Sequence, residues 1–530
     1  MSSSGRAKQT STYVLACALA IGSGACTPPP AADDAGVAPD ASSIPEEPAA
    51  PLPIGPAVCP DGWARHESSG VATCEPWDGP RPTCEPGSMA LPGRGCAPVG
   101  VPCPADGWPA VVPEGARYVR PGAPEPRDGT REHPYDDIGD AVSVTRDGDT
   151  IALSVGEHSF RDSAVGSRIY LGACTEGTII DSRGGQRVAF FGLPGTRPRV
   201  ATFRDLTMRG GPSSTTPEVY VVDVGNVGSS ATLERVHITP DSFRSLHLTR
   251  GGEIIVRDSL LEGSDGIAGF GAFSLTIERS VIRGALDNGT LVADDPPRAA
   301  DAPPPGPVHL RVSDSVIIST ALGDSREQVG EDGALPALDA VFERVYVEDA
   351  FAVAFLANGP STTVSLSDVV VRGVSPGTAE GRTDAVAMFA LRGASLRLAR
   401  VLVDGTENRG IEVLDGSRID AEDLVIRGVR GAGTALGLGE GSTGEAHRVA
   451  VERCATTLGA GTSGEAELWI TDVVVRDLEQ PTPPYAAHGL GAGEGGITHI
   501  TRARVERVPG SGILVTAARW FMSASGNPLE

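Results

Sequence analysis

Lysine is almost missing from this chain: of 44 lysine and arginine residues only Lys8 is a lysine. The bias reflects a GC-rich genome rather than chemistry. These cations are outnumbered by 68 acidic residues, which leaves a formal charge of −24. That balance argues against nucleic acid and against an anionic membrane surface as charge partners. Aromatics are scarce, at 5% of 530 residues, while glycine reaches 68 and proline 43. Such a chain is too long for one compact core and suits a tail followed by a repetitive domain. No CxxC spacing or paired histidine supports a zinc site. No nucleophile elbow, phosphate loop or metal-ligating helix is present. Beyond residue 25 no apolar run is long enough to cross a bilayer.

The first 25 residues read as a bacterial export signal. Arg6 and Lys8 precede YVLACALAIGSGA, an apolar and small-residue run. Cys26 follows at once, and the arrangement resembles a lipoprotein signal, in which this cysteine becomes the lipidated N-terminus. Ser23 departs from the leucine usual at that place in the pattern. Cys17 is a weaker alternative, and an ordinary signal cleaved near Ala25 is the plain one. Thr27, rather than Asp, points to the outer membrane or cell surface, with the periplasm as the other location. Residues 26–58 then comprise the lipidated cysteine and a Pro, Ala and acidic stretch. It has too little to bury to offset chain entropy, and is expected to be a disordered tether.

Five cysteines crowd into a module at 59–108: Cys59, Cys74, Cys84, Cys96 and Cys103. Export makes disulfides expected, and a stretch this small and proline-rich cannot fold on an apolar core alone. Five is odd, so one partner lies outside, and Cys174 is the natural candidate. Six cysteines allow fifteen pairings, and spacing does not choose among them. Cys454 stands alone and reads as a buried thiol.

From residue 200 a short pattern returns twelve times, with apolar or small residues at i, i+2, i+5 and i+7. Ala231, Leu233, Val236 and Ile238 form one copy; Leu468, Ile470, Val473 and Val475 form another. Within each pair the period is two, which is strand; between the pairs the phase slips by one. A continuous strand would turn one apolar set outward, whereas a bend keeps both inward. Basal steps run from 21 residues (256 to 277) to 25 (421 to 446), and a third short strand precedes many copies, as in AVAMFALRG. Leucine-rich repeats lack support, because their consensus and helical half are missing.

This pattern resembles right-handed parallel β-helix proteins of the pectin-lyase-like kind, over roughly residues 115–525. The predicted fold is therefore an all-β solenoid of at least twelve coils spanning 109–530. The segment YVRPGAPEPRDGTREHPYDDIGDAV at 118–142 resembles that family's N-terminal cap, where a short helix follows a strand. The cysteine-rich module is similar to modules of exported myxobacterial proteins.

Two residues lie at each bend. The second is, in order, Asp205, Arg235, Asp258, Arg279, Asp314, Arg344, Asp368, Arg400, Asp423, Arg448, Asp472 and Arg502. Its sign alternates without a break. Equivalent residues on successive coils stack about 4.8 Å apart, so alternation gives each internal charge an opposite neighbour above and below. A slip by one coil would place like on like. The ladder is structural, and at an exposed bend each pair contributes only a few tenths of a kcal/mol (~0.2).

Candidate sites are two. Insertions at 210–218, 285–306, 319–336, 375–383 and 479–487 all fall between the second and third strands, where repeat proteins often carry binding loops. The second is the outward row just before the bend, which ends in Arg397, Asp420, Glu445, Trp469 and His499, with Glu422 and His447 beside it. Asp420 and Glu445 are the candidate acid pair, with His447 and His499 as further catalytic candidates. Arg397 and Trp469 are binding candidates, the indole as a sugar platform. A solvated strand face explains the same row. The catalytic motifs of the resembled family are absent: His488 lies in AAHGLG, and Asp294–Asp295 sit in a proline-rich loop that gives calcium little support. No cofactor or metal is expected. The sequence therefore predicts an envelope lipoprotein, better suited to display, adhesion or glycan binding than to catalysis. Its expected partner is a polysaccharide or surface protein, and its expected state is a monomer. A polysaccharide lyase or hydrolase is the alternative.

Overall fold

The computed structural model describes residues 51–516, apart from 161–165, 183–187, 192–196, 211–219, 240–243, 263–266, 285–290, 295–305, 319–336, 377–384 and 482–484. The fold is a parallel β-helix. Each coil contributes a first and a second strand, and these commonly run through the bend as one element. Ser230–Ile238, Arg418–Arg427 and Glu467–Arg476 are examples. Coil stacks on coil in strict parallel register: Leu233 pairs with Phe203 below, and Ile470 with Ala446. Third strands form two further parallel sheets. One has five strands, from Ala189–Phe191 to Leu291–Asp294; the other has seven, from Val353–Asn358 to Ile513–Thr516.

Both apolar sets point inward. Ala231, Leu233, Val236 and Ile238 are fully buried, as are Leu468, Val473 and Val475. Three coils place serine in this interior instead. The amide of Val236 donates to Ser259 Oγ (3.0 Å), Ser259 N to Ser280 Oγ (3.1 Å) and Ser280 N to Ser315 Oγ (3.1 Å). Each hydroxyl in turn donates to the carbonyl two residues before it. No buried hydroxyl of this row lacks a partner, which is what makes it tolerable in an apolar core.

The bottom coil is closed by the helix Ile138–Val144, which lays Ile138 and Ala141 into the core. Asp137 caps it by accepting from the amide of Gly139 (2.6 Å).

The cysteine-rich segment is a strap laid along the helix. Two hairpins build it, Ala64–Ser68 with Val71–Glu75 and Ser88–Leu91 with Gly95–Pro98. Disulfides Cys59–Cys74 and Cys84–Cys96 hold the hairpins, and Cys103–Cys174 joins the strap to the helix. The partner outside the five is Cys174, and the pairing follows chain order. Such bonds are those of an extracellular or periplasmic protein.

The strap has no apolar core of its own. Ile54, Trp63, Val71, Met89, Leu91 and Val99 share a second core with the outward side of the second strands. That side presents Leu260, Val281, Val316, Tyr346, Val370, Leu402, Val425 and Ala450, one per coil. Trp77 meets Tyr346 edge-on at 4.9 Å. A strand face that alternation assigns to solvent is thus apolar because another segment covers it.

Candidate functional site

All twelve bend residues have a left-handed backbone, with φ between 48° and 57°. One such residue turns the chain sharply while leaving strand on both sides. Aspartate tolerates this conformation better than most residues, but arginine has no such local advantage. The arginines are held there by their partners. Arg235 Nε and Nη2 fork onto Asp205 at 2.7 and 2.9 Å. The same fork joins Arg279 to Asp258, Arg344 to Asp314, Arg400 to Asp368, Arg448 to Asp423 and Arg502 to Asp472.

Two features differ from the expected ladder. Every fork runs back to the preceding coil, so the row is six bidentate pairs. The following aspartate acts only at longer range, as Asp314 does on Arg279. The expected exposure also fails on one side of each of four pairs. Asp205, Asp368, Asp423 and Asp472 are buried, each beneath the guanidinium that forks onto it, and the last two also beneath the strap. Hydrogen bonds donated to the carboxylates hold the guanidiniums of Arg235, Arg344 and Arg448 well above their ordinary pKa. The fork from Arg502 holds Asp472 below the usual carboxylate range.

The strap reads this row directly. The amide of Leu52 donates to Asp472 Oδ1 (3.0 Å) and that of Gly55 to Asp423 Oδ1 (3.0 Å). Between strap and bends lies a cleft of about 720 Å³, lined by Pro56–Asp61, Pro92 and Arg94 on one side and by Asp314, Arg344, Asp368, Arg400 and Asp423 on the other.

A second charged row flanks the apolar stripe. Arg372 and Arg427 both reach Asp404 (3.4 and 3.0 Å) and both bind Glu75 of the strap (2.6 and 2.9 Å). Burial pushes the Glu75 carboxyl up, but its two arginines outweigh that and hold it below its ordinary value. Arg81 pairs with Glu348 at 2.6 Å, and Arg476 donates to the carbonyls of Ser68 and Ser69.

The outward row before the bend lies where the pattern puts it. Arg397, Asp420, Glu445, Trp469 and His499 are register partners on consecutive coils. They line an open strand face: Arg397, Asp420 and Glu445 are exposed and Trp469 is 40% exposed. Glu445 meets Arg418 at 3.4 Å, and Glu422 pairs with the ladder residue Arg448. His447 is the register partner of Glu422. His499 bonds Glu467 at 2.9 Å and stacks flat on Trp469, 4.9 Å between centroids and 4° from parallel. The stack takes one face of the indole, so a sugar platform there is reduced to the opposite face and the edge.

Four of the five insertions lie mostly or wholly outside the described residues, and 479–487 lacks 482–484. Asp294 ends the strand Leu291–Asp294, and Asp295 lies outside them. Cys454 is buried, and burial pushes its thiol up to about 12, far from a thiolate nucleophile.

One constellation escaped the sequence pattern. In the third-strand sheet Asp223 is the register partner of His247, and its Oδ1 lies 2.9 Å from the imidazole Nδ1. Tyr220 stacks on the same imidazole at 3.9 Å. Tyr220 and Asp223 are buried. The signal was the same slot in VDV (222–224) and LHL (246–248). A buried carboxylate on Nδ1 fixes the ring and can support proton transfer at the other nitrogen.

No protein-family model matches the chain, and no curated protein does. Solved structures similar to it include a GH87 α-1,3-glucanase catalytic unit from Streptomyces thermodiastaticus. It is 14% identical, with 81% of this chain and 73% of that one covered and a TM-score of 0.37. A mannuronan C-5 epimerase A-module from Azotobacter vinelandii is also 14% identical, covering 70% and 91%, at 0.22. A GH136 lacto-N-biosidase from Eubacterium ramulus is 10% identical, covering 77% and 68%, at 0.31.

Proposed function

We propose that this is a cell-envelope lipoprotein, anchored through Cys26, whose β-helix is a rigid scaffold for surface display, adhesion or glycan binding without catalysis. The observation that carries the reading is the strap. The segment next to the proposed anchor is bound along most of the rod by a second apolar core, two charged rows and Cys103–Cys174. That arrangement suits a molecule that holds a stiff surface on a tether. The exposed row from Arg397 to His499 offers a flat polar face for a polysaccharide or a surface protein. Its carboxylates, Asp420 and Glu445, are neighbours on an open sheet face rather than in a cleft, which suits binding better than bond cleavage. Glycan-array binding with the chain from residue 26 tests the scaffold reading, alongside a polysaccharide depolymerisation screen. Binding without depolymerisation is expected, and sustained depolymerisation would overturn it. Replacing Cys26 by Ala is expected to release the protein from the membrane fraction.

A second reading, a polysaccharide lyase or hydrolase, is favoured by Asp223 and His247. Its signature would be a depolymerising activity abolished by His247→Ala and untouched by Glu445→Gln.

A further inference from the structure

The strap runs against the direction of the helix. It starts at Leu52, on Asp472 of the eleventh bend, and Gly55 sits on Asp423 of the ninth. Glu75 then lies over Arg372, Trp77 over Tyr346, and Cys103 is bonded to Cys174 below the first bend. The chain therefore enters the fold beside its C-terminal coils and crosses the rod before the first coil begins.

We infer that the C-terminal coil is the end that faces the lipid surface, and that the capped end, with the helix Ile138–Val144, points away from it. The inference rests on anchoring at residue 26. Thirteen strand steps separate Arg117–Val119 from Glu467–Arg476, about 60 Å at ~4.8 Å each. A flexible chain of about 24 residues reaches roughly 27 Å in r.m.s. distance. The spacing along the rod thus exceeds the ordinary reach of the tether. The anchor holds the last coils close, and the first coils lie beyond it. Among the described residues, charge does not set this orientation. Arg502, Arg504 and Arg507 at that end are matched by Asp472, Glu506 and Asp477, so the bilayer is met through the tether rather than through a basic patch.

The test replaces Cys26 with a hexahistidine tag on the otherwise mature chain. Vesicles of phosphatidylcholine with a nickel-chelating lipid and an acceptor-labelled lipid hold it. A donor dye is placed through a non-natural residue at Glu132, near the capped end, or at Glu494, near the last coil; both are exposed. Energy transfer from position 494 is expected to exceed that from 132 by about twofold or more, given the ~60 Å spacing. Equal transfer, or more from 132, would overturn the inference. Hydrogen exchange at 52–56 is read on the same sample. Slow exchange there is expected, and fast exchange would show that the strap end is undocked and also count against it. Because the tag replaces the lipid, failure of lipidation is seen separately, by mass analysis of Cys26 in the native protein.

Discussion

At the scale of the residue, the bend decides the fold. Alternating sign at twelve positions is plain in the sequence, and so is the phase slip that demands a bend. The left-handed backbone is not, because arginine is a poor guide to positive φ and its partner lies 21 to 32 residues away. Arg400 separates the two contributions. Arg400→Ala loses the fork to Asp368 and keeps the backbone strain; Arg400→Gly loses the fork and relieves it. The glycine variant is expected to be more stable than the alanine variant by about 1 kcal/mol in urea unfolding. Equal stability would mean that the bend is unstrained at φ 56°. Glu75 makes a second prediction. Glu75→Gln leaves Arg372 and Arg427 without their shared carboxylate and is expected to cost about 1–3 kcal/mol, read as a lower unfolding midpoint.

At the scale of the element, the strap and the stripe beneath it define each other. The inward rows were legible because period two sorts residues cleanly. The outward row from Leu260 to Ala450 was equally visible, yet a rule that gives outward positions to water has no place for Leu402 or Val425. What covers them comes from 51–99, far away in sequence, and no local signal announces it. Leu402→Asp places a charge under the strap with no partner. Cleavage by trypsin after Arg65 is expected to become much faster while the coils stay folded, since docking and coil stacking use different surfaces. Unchanged cleavage would show that the strap does not depend on the stripe. Acid acts on the same contact. The folded pKa values of Glu75 and Asp472 lie below their ordinary ones. Their stabilisation is therefore complete above the unfolded values, near pH ~4, and is lost as pH falls through the lower folded values. Amide protection in 52–75, taken relative to the intrinsic exchange rate at each pH, should fall below about pH 4 and stay constant from there to neutrality.

At the scale of the whole molecule, a rod of stacked coils carries one long-range clamp. Cys103–Cys174 closes a loop of 71 residues, which in the chain-entropy account contributes up to about 4 kcal/mol. Replacing both by Ser is expected to lower the thermal midpoint and to loosen strap and cap together; a midpoint shared with the native protein would argue against a clamp. The architecture of the rod was readable because coils repeat and errors would have broken the alternation. The chemistry was not, since a row such as Asp420 to His499 is equally a solvated face, and the Asp223–His247 contact depends on stacking between third strands. The reversed course of the strap also sets an order of events. Residues 51–108 are synthesised and exported before any coil, yet the surface they require is made of residues 260–450 and the anchor points at Asp423 and Asp472. This early segment must wait for nearly the last of the coils. Its hairpins can close their own disulfides early, but docking belongs to the end of folding. Until then the apolar stripe stands uncovered, and a chain stalled before residue 472 leaves the compartment with a sticky rod and a loose strap.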